Sequence, residues 1–389
     1  MTSKGIMSVL IAILAFSPAS WAARGLDLRV MSADSVFVCE TNAARGYYDA
    51  MIYNIAYVNR SEEILTLDHV TIEAIKKNVI FQQVRLSGED LQRDANRLSG
   101  MESRGLLKLY AFMLQTNDLL GESGAMSPTL GMKPRTAIIS PSTYLSLKGI
   151  PDHFKITAFA RTEKGELAES SILLKAIPYQ QANKFIFPLR GAWWVGAGAD
   201  VFTDHRWVAF EQFAYDLGQV GENGLTYKND GQSLEDYLCF GRDVLAVADG
   251  EVVGVQTGFS DDPALLKQKG ETEDAYNQRM GLIQLNFLKT DFTAAAGNFI
   301  VIRHKGEEYS FYAHLKKDSI RVKKGDLVRQ GQVIAKVGHS GNSTEPHLHL
   351  QISNGPDPFR SRAVPVKFSY IQGDAIGEGY LRTGDIIRN

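Results

Sequence analysis

Apolar and β-branched residues alternate with polar ones in short runs through the first half of the chain. Examples are Val36-Phe37-Val38, Met51 to Val58, Val70 to Ile75, Phe154 to Ala160 and Ile172 to Leu174. Successive side chains of a strand point to opposite faces. Runs of this length, parted by turn chemistry such as Glu163-Lys164-Gly165, therefore predict antiparallel strands. The expectation for residues 23–182 is an immunoglobulin-like β-sandwich. A helical interruption is expected after Ser87, where Ser87 and Asp90 have capping-box spacing and Leu91, Leu98 and Leu106-Leu107 supply apolar positions. From Phe185 to Trp194 the chain enters a second domain, expected over residues 183–389. Its strands are shorter and punctuated by glycine: Val244 to Val253, Phe299 to Ile302 and Val322 to Gly338. That rhythm predicts a small β-barrel or sandwich-hybrid, so the chain as a whole reads as all-β. Residues 256–297 break the rhythm. Ser260-Asp261-Asp262-Pro263 offers an N-cap with proline in the first turn, and Ala264 through Met280 is helix-compatible except at Gly270, so a helical insertion is expected there. It reads either as a wall over a groove or as a surface excursion.

The N-terminus reads as an address. Lys4 precedes an apolar run from Ile6 to Phe16, and Ser20-Trp21-Ala22 has the small residues of a cleavage site, so residues 1–22 are expected to be a signal peptide. The run is shorter than a bilayer span, and no later segment is apolar for long enough to cross one. The mature protein is expected in the periplasm or secreted. Cys39 and Cys239 then share an oxidising compartment, which permits one disulfide; two buried free thiols fit the sequence equally. A net charge of −2, with no basic tail or RNA-reading motif, argues against a nucleic-acid function.

Six of the eight histidines lie in the second half, at 205, 304, 314, 339, 347 and 349. His347 and His349, one residue apart, share a face if they lie on a strand, and such a cluster points to a metal site. His69 and His153 are isolated and read as structural. Lys316, Lys317, Arg321, Lys323, Lys324 and Arg329 form a basic stretch that reads as a solvated face.

Four segments occur in order: Phe213-Ala214-Tyr215-Asp216, Tyr312-Ala313-His314-Leu315, the Gly325-Asp326 to Gly331-Gln332 hairpin, and Gly341-Asn342-Ser343-Thr344 leading to His347-Leu348-His349. Over roughly residues 190 to 365 the chain thereby resembles the lysostaphin/LytM-type zinc endopeptidases, which cut peptide cross-links of bacterial peptidoglycan. The resemblance implies Zn2+ as cofactor and peptidoglycan peptides as substrate. It makes Asp216 and His349 zinc ligands, and gives His314 and His347 the handling of protons and of the developing oxyanion. A carboxylate plus imidazoles with one position left open is the make-up of a catalytic zinc site.

The chain departs from the pattern at Gln212, where the family places its first ligand histidine, because an amide is a poor zinc ligand. His205 in Thr203-Asp204-His205-Arg206 is the expected replacement. Four residues of straight strand span about 13 Å, so that ligand has to arrive from a bend or loop in any case. Glu211 is a lesser candidate, placed by strand alternation on the face opposite Asp216. Glu345 stands where the family has glycine, a second departure, at the groove rim. The leading expectation is a secreted zinc endopeptidase. A catalytically inactive relative that binds cell wall or regulates another hydrolase stands as the alternative. A lipoyl-type carrier, suggested by the Gly325 to Gly338 hairpin, has the export signal and the histidine set against it.

Overall fold

The computed structural model describes residues 25–31, 34–42, 45–114, 116–121, 125–369, 372–373 and 380–388. The expected signal peptide lies outside the described residues. The chain is mostly β, with two large sheets. The first orders its strands Val79–Leu86, Leu65–Lys76, His153–Thr162, Leu167–Pro178, Ser35–Asn42, Tyr47–Asn59, Thr136–Lys148 and Ala125–Met126, with Leu26–Val30 and Gly131–Met132 paired at its margins. The strands expected between 24 and 182 are present. They join into one continuous ladder, whereas an immunoglobulin-like arrangement has two facing sheets.

Two strands tie this sheet to the rest of the chain, because both of their faces are covered. In Ser35–Asn42, Val36 and Val38 enter the first core while Phe37 and Cys39 enter the second. In Tyr47–Asn59, Asn54 takes a left-handed conformation with φ of 45°, which shifts the alternation by one residue. Ala50 and Ile52 before it, and Ile55 and Tyr57 after it, face the core, leaving Met51 and Tyr53 to pack on Ala209. The expected helix is Gly88–Ser103, with Ser87 and Asp90 forming the capping box and Leu91, Ala95 and Leu98 buried. It ends before Leu106, with no basic residue in its last turn.

The second sheet is antiparallel throughout, in the order Leu327–Val328, Gly250–Gln256, Asn298–Arg303, Tyr309–Leu315, Leu348–Ser353, Tyr215–Gly218, Ala192–Ala197, Ile386–Arg388 and Gln372–Gly373. One face carries the core, including Trp193, Tyr215, Leu217, Tyr312, Leu348, Leu350 and Ile352. Between residues 256 and 297 the helix begins later than the sequence suggests. A short turn at Pro263–Leu265 is capped by Asp262, Gly270 then adopts φ of +82°, and Thr272 caps the helix Glu273–Thr290. Asp262 and Pro263 thus start only a single turn, and the left-handed Gly270 separates it from the helix. Cys39 and Cys239 are both free and buried, and burial pushes each thiol up to about 12. No described helix is long and apolar enough to cross a membrane.

Candidate metal centre

Three adjacent strands of the second sheet bring distant residues together on the face turned away from the core. Asp216 lies directly opposite His349, and His349 directly opposite Ala313. Tyr215 and Leu217, like Leu348 and Leu350, take the core side, so alternation sends Asp216 and His349 to the other. His314 reaches that side differently. By alternation it belongs with Tyr312, but its φ of 57° turns it over, and Leu315 then returns to the core. Its ring ends 4.7 Å from that of His347. Left-handed backbone at a non-glycine residue is uncommon, and histidine is among those that tolerate it.

His205 arrives from outside the sheet, on the one-turn 3-10 helix Asp204–Trp207. Donor atoms of His205, Asp216 and His349 all lie within 4.8 Å of one another. His205 Nε2 is 3.5 Å from Asp216 Oδ2, and His349 Nδ1 is 3.0 Å from Oδ1. His347 Nε2 is 3.5 Å from the same Oδ1.

Hydrogen bonds set the tautomers. Gln351 Nε2 donates to the Pro358 carbonyl at 3.0 Å, which turns Gln351 Oε1 toward His349 Nε2 at 3.2 Å. Nε2 is therefore the donor, and in the neutral ring the Nδ1 lone pair faces the Asp216 carboxylate. Two lone pairs at 3.0 Å repel unless a proton or a cation lies between them. The donor set thus fits a cation, and two imidazoles with one carboxylate suit zinc while leaving a coordination position open. The charges concur. Burial pushes the Asp216 carboxyl up, but His205, His347 and His349 together outweigh it and hold the group far below the usual carboxylate range. Burial opposes charge on His349, yet the hydrogen bond and charge of Asp216 outweigh that and raise it.

His347 Nδ1 donates to the Glu345 carbonyl at 2.7 Å, and His314 Nδ1 donates to the Ser340 carbonyl at 2.8 Å. Each neutral ring therefore keeps an Nε2 lone pair. Burial, then His347 and His349, push His314 well below the ordinary imidazole range.

Other candidates fall elsewhere. Gln212 is buried and points away, accepting from Tyr53 Oη at 3.3 Å and donating to the Ala209 carbonyl at 3.2 Å. Glu211 lies in the turn before the Tyr215–Gly218 strand, so strand alternation does not govern it; it lines the cleft but is not in the donor group. Glu345 accepts from Thr226 Oγ1 at 2.8 Å. His339 is buried behind the site on Ser343, and burial, then His347, takes it down to about 4. His304 is held by the Asp249 carbonyl and Ser310, and His69 stacks on Phe159. The six basic residues do not line the cleft.

The donors open into a cavity of about 350 Å3. One wall is aromatic, with Phe210, Phe292, Phe311 and Phe359, and the insertion contributes Gln284 and Phe287. Sequence reasoning missed Gln351, although the His-Leu-His-Leu-Gln alternation places it on the face of His349.

The model of Peptidase family M23 matches residues 231–361. That stretch contains His314, His347 and His349 and begins after His205 and Asp216. A peptidoglycan DD-endopeptidase, ShyB, of Vibrio cholerae is 49% identical over 57 residues, 15% of this chain and 13% of that one. Lysostaphin of Staphylococcus simulans is 45% identical over 56 residues, 14% of this chain and 11% of that one. The matches thus span less than a fifth of those relatives' own length. Among solved structures, a zinc-containing peptidase from Vibrio cholerae aligns over 87% of this chain and 84% of that one, at 14% identity and a TM-score of 0.27. The lysostaphin catalytic domain aligns over 45% and 88%, at 19% identity and a TM-score of 0.24.

Proposed function

Because the chain carries a domain of peptidase family M23, we propose that it is a zinc-dependent endopeptidase that hydrolyses peptide bonds of bacterial peptidoglycan. The observation that carries this reading is the convergence of His205, Asp216 and His349 around a gap that a cation fits, with two further imidazoles beside it. Relatives named for peptidoglycan endopeptidase activity support the substrate class. The signal-like N-terminus supports action outside the cytoplasm. In this reading the chain divides at about residue 183, and the insertion at 256–297 supplies one wall of the substrate cleft.

His205, Asp216 and His349 hold the metal. Zinc, when bound, supplies Lewis acidity that polarises a carbonyl and brings the pKa of water toward about 7. His347 accepts the proton of the attacking water at Nε2, since its Nδ1 is committed to Glu345, and returns it to the departing amine. His314, held through Nδ1 by the Ser340 carbonyl, can steady the developing oxyanion by donating from Nε2 once that nitrogen has taken a proton from solvent water. The aromatic wall excludes water from one side of the peptide.

Isolated sacculi incubated with zinc-loaded protein are expected to release new amino groups and no new reducing sugar ends. His347→Ala is expected to keep its zinc and lose about 10²–10⁴ in rate, the usual worth of a general acid-base group. His205→Ala is expected to lose the zinc. Sacculi bound without release of amino groups by the zinc-loaded wild type would favour a non-catalytic wall-binding protein.

A further inference from the structure

The segment that delivers His205 is held in place by the other sheet. The buried Arg206, next in sequence, donates from Nη2 to Asp49 Oδ1 at 2.6 Å, and its guanidinium lies 4.5 Å over the Phe213 ring. Tyr53 Oη donates to the Arg206 carbonyl at 2.8 Å. Asp49 and Tyr53 both belong to the Tyr47–Asn59 strand, about 150 residues away in the chain. By contrast, His205 itself is poorly fixed. Its Nδ1 is buried and has no hydrogen-bond partner among the described residues, whereas His349 is oriented through Gln351. A ligating histidine normally owes its orientation to a partner on its second nitrogen. A one-turn 3-10 helix has little stability of its own.

We propose that Asp49 and Tyr53 are positioning residues for the metal site: the first sheet completes the second sheet's zinc centre by fixing the backbone on which His205 stands. This rests on the zinc reading above. It gives Gln212 a role too, since its side chain braces Tyr53 and Ala209 at the position where a ligand would otherwise stand.

The test is the zinc dissociation constant of the full-length protein, measured by competition with a chromophoric chelator, together with the visible spectrum of the Co2+-loaded form. Tyr53→Phe removes one oxygen and leaves the ring in place. Asp49→Asn removes the charge opposite Arg206. Both are expected to weaken zinc by about tenfold or more and to alter the cobalt spectrum, as loss of a ligand-orienting partner does. Tyr57→Phe serves as control, because it removes a buried hydroxyl from the same strand, bonded to Ser140 Oγ at 3.2 Å, away from Arg206. It is expected to bind zinc as the wild type does. Wild-type affinity in Tyr53→Phe and Asp49→Asn, or equal weakening in Tyr57→Phe, overturns the proposal and leaves the zinc site standing. A wild type that binds no zinc overturns the zinc reading and this proposal together.

Discussion

Which ring nitrogen carries a proton decides what each histidine of the cleft can do. Gln351 makes Nε2 of His349 the donor and so aims the Nδ1 lone pair at Asp216, where a cation is wanted. Gln351→Leu leaves that ring free to rotate and to change tautomer. Zinc is then expected to bind about 10–100-fold more weakly, measured by equilibrium dialysis, because outer partners of a ligating imidazole contribute on that scale. Affinity equal to wild type would mean that Asp216 alone orients the ring. Part of this was legible in the sequence: His347 and His349 share a strand face, and Asp216 closes the Phe-Ala-Tyr-Asp segment, whereas Gln351 was passed over although it continues the same alternation. His314 was legible as a histidine but not as a member of the same face. Its left-handed φ reverses the alternation, and no residue pattern announces that.

At the level of elements, the site depends on a loop pressed against the end of the insertion. Gly341, with φ of +81°, passes so close to the backbone of Ala295 and Gly297 that an added Cβ would lie 2.4 Å from the Ala295 oxygen. Asn342 N donates to that same oxygen at 2.7 Å, and Tyr276 Oη of the insertion helix donates to the Thr344 carbonyl at 2.8 Å. The loop carries the Ser340 carbonyl that fixes His314. Gly341→Ala therefore has both a forbidden conformation and a backbone clash to relieve, and a cost of about 1–3 kcal/mol is expected in denaturant titration. Turnover is expected to fall while zinc stoichiometry holds, because no ligand comes from this loop. The sequence announced the loop through its glycine and the insertion through the broken strand rhythm. It did not announce that the two touch, since backbone proximity leaves no trace in apolar periodicity. The helix start was misplaced for a local reason, the left-handed Gly270.

Across the whole molecule, the two sheets are more tightly joined than a division into successive strand patterns implies. Ser35–Asn42 has one face in each core, and Arg206 and Asp49 are an ion pair buried between the sheets. Such a pair is weak evidence for net stability, because desolvation offsets much of its attraction, but it is strict about geometry. The sequence could not show this join, since a double-faced strand and a single-faced one both read as β-branched runs. The join has a thermodynamic consequence if zinc bridges His205, Asp216 and His349. A ligand at 100 times its dissociation constant stabilises the native state by about 2.7 kcal/mol. Here that stabilisation would be felt on both sides of the Arg206 contact. Native-state hydrogen exchange with and without zinc is expected to show slower exchange in the Tyr215–Gly218 and Leu348–Ser353 strands, and also in Tyr47–Asn59. Distant strands of the first sheet such as Val79–Leu86 are expected to change less, unless they exchange only by global unfolding. Protection confined to the second sheet would show that the ion pair transmits nothing, and that His205 is held by local contacts alone.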